Sequence, residues 1–317
     1  MAQIPHVSDV KKRYIPLANS RERDWQGTKI NERLFGFIPV LNENPKSLTT
    51  EEIEHFNNNG YTKPIKIFNE EEATQNRIYF DNIMKSVEED GTNRDSYSIN
   101  GFHVKCQRQY DIIMNKKILD KVEDLLGPNF FCWGSHFFCK LANESDHGFV
   151  PFHQDATYWP FDHNRTVTVW LAIDDADEEN SAMNFIKGSH KTVYNYKKTE
   201  ETNAVLLQEV LLDENEHDDD SYYYVNSMKA GECSIHADLL IHGSKPNISN
   251  RRRCGYTIRY TQSDCIPLNP SWARSSIHCR GFTNSKWWVN INRPKGEDFS
   301  PLVEEDFVNA IKVESRL

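Results

Sequence analysis

Histidine–aspartate pairs spaced two residues apart are the residues in this chain whose types and spacing could suit a metal. His153 and Asp155 form an H-x-D pair. On a strand, residues two apart point to the same side, so this pair would deliver an imidazole and a carboxylate to one cavity. A second imidazole from a distant strand would complete a two-histidine, one-carboxylate face, which leaves metal positions open for a co-substrate and dioxygen. The pattern occurs three times, at His153/Asp155, His217/Asp219 and His236/Asp238. His217/Asp219 lies in the acidic run DENEHDDD over 213–220, which reads as a solvated surface loop. His236/Asp238 lies in a strand-like stretch. His153/Asp155 sits in the aromatic-rich segment VPFHQDATYWPF, just ahead of a strong strand. Spacing alone leaves both of these pairs open.

The elements that must position such a site follow from periodicity. Residues 47–59 read as a helix, with Thr49 and Glu52 as a capping box, Ile53 and Phe56 as the apolar face, and Gly60 as the C-cap. Residues 61–68 read as a strand despite Pro64. Asn69 opens a second helix whose apolar residues are Ile78, Ile83, Met84 and Val87. A third helix is expected over 112–126, stopped by Gly127-Pro128. From Phe130 the texture changes to short runs rich in aromatic and β-branched residues, at 137–141, 167–173, 182–186, 231–235 and 255–261. Helices first and strands afterwards predict a mainly β fold with flanking helices, its strands closing as a barrel or double-sheet jelly roll. Three regions are expected: an N-terminal arm over 1–45, the main domain over 46–265, and a C-terminal extension over 266–317 packed on the barrel. Within that extension 303–313 predicts a short helix.

Bulk properties narrow the function. The chain has 317 residues and a net charge of -10, without the basic stripe that nucleic acid requires. No apolar run approaches the ~20 residues that span a bilayer, and the polar first residues carry no secretory signal. The seven cysteines are odd in number and include no C-x-x-C pair, which argues against a zinc knuckle or disulfide framework. A cytoplasmic protein acting on a small molecule, with no nucleic-acid or membrane partner, is the expectation; oligomeric state is not legible.

Three segments carry a family resemblance. The first is His153-Gln-Asp155 followed by Tyr158-Trp-Pro-Phe161. The second is VWLAID from Val169, followed by NSAMNFIKGSH ending at His190. The third is AGECSIHADLLIHGSKPN, from Ala230 to Asn247. Together they resemble the phytanoyl-CoA dioxygenase family, as does the opening LTTEEIEHFNNNGY from Leu48. Lys187 stands where the family usually has proline, and Ala182 where it has glycine or cysteine. The resemblance runs from about residue 47 to residue 265. It implies a double-stranded β-helix of the jelly-roll or cupin-like kind, with Fe(II), 2-oxoglutarate and dioxygen as cofactor and co-substrates. It makes His153, Asp155 and His242 the metal ligands and releases His236 and Asp238 to supporting roles. Halogenating relatives replace the carboxylate, so Asp155 argues against halogenation.

The same resemblance places the co-substrate. Arg253, eleven residues after His242, matches the arginine that takes the far carboxylate of 2-oxoglutarate, a task suited to a planar bidentate cation. Ser244 is its usual hydroxyl neighbour. Lys140 on the preceding strand is a further candidate for the co-substrate, against the reading of a snorkelling surface lysine. Trp170 is a candidate wall residue, against that of a core aromatic. For the substrate, Arg108 and Lys105 are candidate carboxylate partners, and Tyr158, Trp159 and Phe152 a candidate apolar wall, with core packing as the plain alternative. An acyl-CoA would need several cations for its phosphates, and only the triplet Arg251 to Arg253 offers a cluster. A small metabolite is therefore expected, oxidised by hydroxylation, desaturation or ring closure, the last being the chemistry of kainoid synthases. Two other classes stay open: a zinc hydrolase using the same ligands, and a non-catalytic jelly-roll binding protein.

Overall fold

The computed structural model describes residues 24–25, 28–29, 36–91, 99–143, 148–198, 208–210, 220–282 and 286–311. Most of the expected N-terminal arm, and His217 with Asp219, lie outside the described residues.

Helix α1, Thr50–Asn59, is set by its ends. Thr49 accepts from the Glu52 N–H, the Glu52 carboxylate accepts from the Thr49 N–H, and Gly60 closes the helix in the left-handed region. Strand β1 is shorter than expected, only Ile65–Lys66, because Pro64 has no N–H to give a ladder. Helix α2, Glu70–Glu89, is capped by Asn69. Its buried stripe runs through Ala73, Asn76, Phe80, Ile83 and Val87, whereas Ile78 faces solvent, contrary to the sequence reading. The single helix expected over 112–126 is two, α3 (Gln107–Ile113) and α4 (Lys116–Leu126). Asn115 between them accepts from the Lys117 N–H and so starts a new helix rather than continuing the old one. At the far end of α4, the buried Asp124 carboxylate accepts from the N–H groups of Lys46, Ser47 and Leu48. That ties the segment before α1 to the helical layer.

The strands are β2 (Phe130–Lys140), β3 (Val150–His153), β4 (Thr166–Ala172), β5 (Asn184–Ile186), β6 (Tyr196–Lys198), β7 (Gln208–Val210), β8 (Tyr223–Val225), β9 (Glu232–Ala237), β10 (His242–Ser244), β11 (Arg253–Gln262) and β12 (Ile277–Arg280). Six form an antiparallel sheet in the order β12-β2-β11-β4-β9-β1, and four form a second in the order β8-β5-β10-β3. The two sheets make a jelly roll. Helices α1 to α4 cover the outer face of the larger sheet, sharing one apolar core with it. The C-terminal segment does more than lie on the barrel, since β12 pairs with β2 as an edge strand. A short helix α5, Glu304–Ala310, follows.

On the inner face of β11, Arg253, Gly255, Thr257 and Arg259 alternate with outward residues. A Cβ at Gly255 would overlap the Trp170 indole, so only glycine lets that ring lie across the strand. Gly60 is constrained twice: its φ is +87°, and a Cβ there would come within 2.6 Å of the His190 ring. Gly60→Ala is therefore expected to lower unfolding free energy by about 1–3 kcal/mol. Denaturant titration measures this, and an unchanged midpoint would show that the turn relaxes freely.

Candidate metal and co-substrate site

Strands β3 and β10 pair antiparallel with His242 directly opposite His153. This register brings the two imidazoles to 4.2 Å between ring centroids. Asp155 begins a 3-10 turn, Asp155–Thr157, immediately after β3. That turn is held by the Ala156 N–H donating to the Asp238 carbonyl at 2.9 Å. One ligand atom from each of His153, Asp155 and His242 lies within 4.8 Å of the others.

The chemistry of this donor set fits a divalent cation. The Nδ1 atoms of His153 and His242 sit 2.8 and 3.0 Å from the carbonyls of Pro151 and Leu240. A carbonyl only accepts, so each Nδ1 carries the proton and each Nε2 keeps its lone pair. His153 Nε2 then stands 3.4 Å from Asp155 Oδ1, two electron-rich atoms facing each other. Burial and the neighbouring His153 imidazole hold the His242 ring down to about 4, so it is neutral near pH 7. Burial alone would push the Asp155 carboxyl up. The pull of the His153 and His242 rings when they are protonated, together with the Arg259 guanidinium, outweighs it and holds the group well below the usual carboxylate range. Two imidazoles and one carboxylate are a donor set that iron(II) accepts.

The co-substrate end lies along the same cavity. Arg253 donates from Nε and Nη2 to the Ser181 carbonyl at 3.0 and 2.8 Å, and Nη2 lies 3.3 Å from Ser244 Oγ. Lys140, only 1% exposed, donates to Ser244 Oγ at 2.6 Å and to Ser181 Oγ at 3.0 Å, and also contacts the Lys245 carbonyl. It is a buried lysine, not a snorkelling one. Trp170 lies against the Arg253 guanidinium at 5.6 Å and fixes its plane. Arg251 and Arg252 point outward, to Asp177 and Glu179 and to Asp174 and Asp81.

The phytanoyl-CoA dioxygenase family profile matches residues 45–255, two thirds of the chain. The chain belongs to the phytanoyl-CoA dioxygenase family. A phytanoyl-CoA dioxygenase domain-containing protein 1 homolog of Caenorhabditis briggsae is 31% identical over 136 residues, covering 41% of this chain and 45% of that protein. A probable alpha-ketoglutarate-dependent hypophosphite dioxygenase of Stutzerimonas stutzeri is 28% identical over 158 residues, 50% of this chain and 54% of that one. The chain thus spans about half the length of these curated relatives. Among solved structures, the apo non-heme monooxygenase ThoJ superposes with a TM-score of 0.67 at 24% identity, over 81% of this chain and 93% of its own. CytC3 with Fe(II) and alpha-ketoglutarate superposes with a TM-score of 0.56 at 20% identity, over 81% and 97%. Both share the jelly-roll fold.

In this family member the cavity of about 200 Å³ is lined by the three candidate ligands and by Lys140, Trp170, Ser244, Arg253, Tyr158 and Trp159. A larger cavity of about 520 Å³ lies beside Asp124 and Arg165, away from the candidate ligands, so chemistry and not size marks the site. Three expected substrate residues are elsewhere. Phe152 neighbours His153, so strand alternation turns it to the opposite face, against Ile186, Val210 and Ile241. Lys105 pairs with Asp298 and Asp306 at 3.4 and 3.3 Å. Arg108 donates to Asn76 at 2.9 Å and lies over Tyr79. Both belong to the helical layer and its C-terminal cover.

The cavity also contains residues that sequence reasoning missed. Thr168, Thr257 and Arg259 come from β4 and β11, and Trp272 from the C-terminal segment. Arg259 was accessible in principle, since it stands an even number of residues from Arg253 on one strand. Trp272 carried no such signal. His236 also reaches the cavity: its Nε2 is 4.0 Å from Asp155 Oδ2, and neither ring nitrogen has a hydrogen-bond partner among the described residues. Asp238 faces away, accepting from the Thr166 N–H at 3.0 Å. A second grouping, Asp162, His163 and Cys265, is knit by its own contacts, with His163 Nδ1 2.7 Å from Asp162 Oδ1.

Burial pushes the Asp238 carboxyl up to about 7, against the opposing pull of the Thr166 N–H and Asn164. A folded-state value above the unfolded one means that this group's contribution to stability is full below about pH 4. It is lost as pH rises through about 7. Asp238→Asn, which keeps an acceptor for Thr166, should therefore gain stability relative to wild type between pH 5 and about 8. Thermal unfolding at both pH values checks this; a difference that does not grow with pH would contradict it.

Proposed function

We propose that this chain is an Fe(II)/2-oxoglutarate-dependent oxygenase that oxidises a small metabolite by hydroxylation, desaturation or ring closure, forming succinate and carbon dioxide. The observation that carries this reading is the pairing of an electron-rich His153–Asp155–His242 face with a buried cationic end in one cavity. His153, Asp155 and His242 would hold the metal. Bound iron and 2-oxoglutarate would supply the activation of dioxygen. The backbone carbonyls of Pro151 and Leu240 keep both imidazoles in the ligating tautomer. Arg253 is pre-oriented by Ser181 and Trp170 and would take the distal carboxylate of 2-oxoglutarate, with Lys140 and Ser244 beside it. Buried aromatic walls would exclude water.

Membership of the family allows an acyl-CoA substrate, but the cavity volume of about 200 Å³ favours something smaller. Drug-sized pockets usually hold ~300–1,000 Å³. A zinc hydrolase using the same ligands would leave the Arg253–Lys140–Ser244 arrangement without a task. Seven buried cysteines, none in a disulfide, support a reducing compartment such as the cytoplasm. No helix among the described residues is long and apolar enough to cross a membrane.

Anaerobic addition of iron(II) and 2-oxoglutarate should give a visible charge-transfer band, and its absence from folded protein would sink the reading. Asp155→Ala should abolish the band and succinate formation, whereas Asp238→Ala should retain much of both; equal loss would reopen the choice of carboxylate. Arg253→Ala should raise the 2-oxoglutarate requirement roughly tenfold or more, as expected for a charge-assisted contact of ~1.5–3 kcal/mol. An unchanged requirement would place the anchor elsewhere.

A further inference from the structure

Arg259 is the cavity residue that the reading above leaves without a task. Its side chain lines the cavity, yet among the described residues it makes no hydrogen bond or ion pair, and its Nε is buried without a partner there. It lies instead against three aromatic faces, Trp133 at 5.6 Å, Trp159 at 5.7 Å and Phe138 at 5.9 Å. Removing a guanidinium from water without an anion is unfavourable, and contacts with ring faces offset only part of that. The long-range attraction of Asp155 helps, but that carboxylate belongs to the candidate metal face. A retained buried cation with open donors is a site waiting for an anion.

2-Oxoglutarate does not meet that need. Arg253 and Arg259 share the inner face of β11 six residues apart, so their Cα atoms are ~20 Å from one another at ~3.3 Å per residue. The keto-acid end of 2-oxoglutarate would chelate the metal and its far carboxylate would meet Arg253, so the co-substrate has no carboxylate left for Arg259. Lys140, Arg253 and Arg259 face Asp155 as three cations against one carboxylate. A divalent metal and a dianionic co-substrate balance each other and leave that excess in place. The chain is acidic overall, with a net charge of -10, so the cationic interior is a local feature. Around Arg259 the wall is aromatic, formed by Phe138, Trp159, Tyr158 and Trp272.

We propose that Arg259 anchors a carboxylate of the primary substrate, so that the protein acts on a small carboxylic acid whose apolar body lies along the Trp159–Trp272 wall beside the metal ligands. The planar fork of the guanidinium matches a carboxylate through paired hydrogen bonds, and its aromatic bed keeps it in place without competing for its donors. The inference rests on the oxygenase reading only for the direction of the chemistry; the binding it asserts is separately measurable.

The test uses the full chain and matched acid and amide probes, 3-phenylpropionate with 3-phenylpropionamide and hexanoate with hexanamide. Binding is read by tryptophan fluorescence in metal-free protein and by perturbation of the anaerobic Fe(II)/2-oxoglutarate band. At least one acid should bind roughly tenfold or more tightly than its amide. Arg259→Gln should erase that preference and Arg259→Lys should keep part of it, while Arg253→Ala, which alters the other anchor, should leave it in place. Equal binding of acid and amide, no binding of either acid, or a preference that survives Arg259→Gln would overturn the proposal. Should Arg259→Gln not fold, the wild-type comparison and Arg259→Lys decide it. An acid preference that depends on Arg259 in protein forming no band would reject the oxygenase reading and keep this one. A normal band without acid preference would do the reverse.

Discussion

The antiparallel register that sets His242 opposite His153 is the constraint on which the cavity depends. Side chains alternate along a strand, so a slip of one residue would turn one imidazole to the far face of the smaller sheet. Phe152 shows what that face is like, packed among Ile186, Val210 and Ile241. The register is anchored from both sides. β10 also pairs with β5, and the turn after β3 is hydrogen-bonded to Asp238. The backbone carbonyls at Pro151 and Leu240 then finish the work by choosing the tautomer.

The larger sheet supplies the complementary charge. β11 carries Arg253 at one end of its inner face and Arg259 towards the other, with Gly255 between them making room for Trp170. The two arginines have opposite environments. Arg253 is surrounded by polar partners that orient it before any ligand arrives. Arg259 rests on rings that hold it in place but satisfy none of its donors. A negatively charged chain thereby encloses a positively charged interior, and preorganisation at each end limits the entropy lost when an anion binds.

Much of the local structure was legible because it depends on short-range chemistry. The N-caps at Thr49 and Asn69 follow from side-chain oxygens accepting from free helical N–H groups, and the C-cap at Gly60 from a left-handed backbone whose N–H reaches the Phe56 carbonyl; all three appear where the residue types put them. The break at Asn115 was missed although Asn is a strong cap, because the apolar residues on either side keep a continuous helical period. Ile78 shows the converse: an apolar residue at plausible spacing that faces water.

The sequence by itself determined the H-x-D pairs and the mainly β architecture, since spacing and strand alternation are properties of the chain, and its family resemblance pointed to His242 and to the arginine eleven residues beyond it. It could not choose between His153/Asp155 and His236/Asp238 on spacing, nor separate Lys140 from a surface lysine. Tertiary structure decided those placements: Asp238 turns to the Thr166 backbone, and Lys140 is enclosed by Ser181 and Ser244. It also took Lys105 and Arg108 away from the cavity, where Asp298 and Asp306 pair with the first and Asn76 accepts from the second, and brought Arg259 into it. The physical reason is common to all three. Whether a charged side chain is available depends on which partners surround it, and those partners come from segments far apart in the chain.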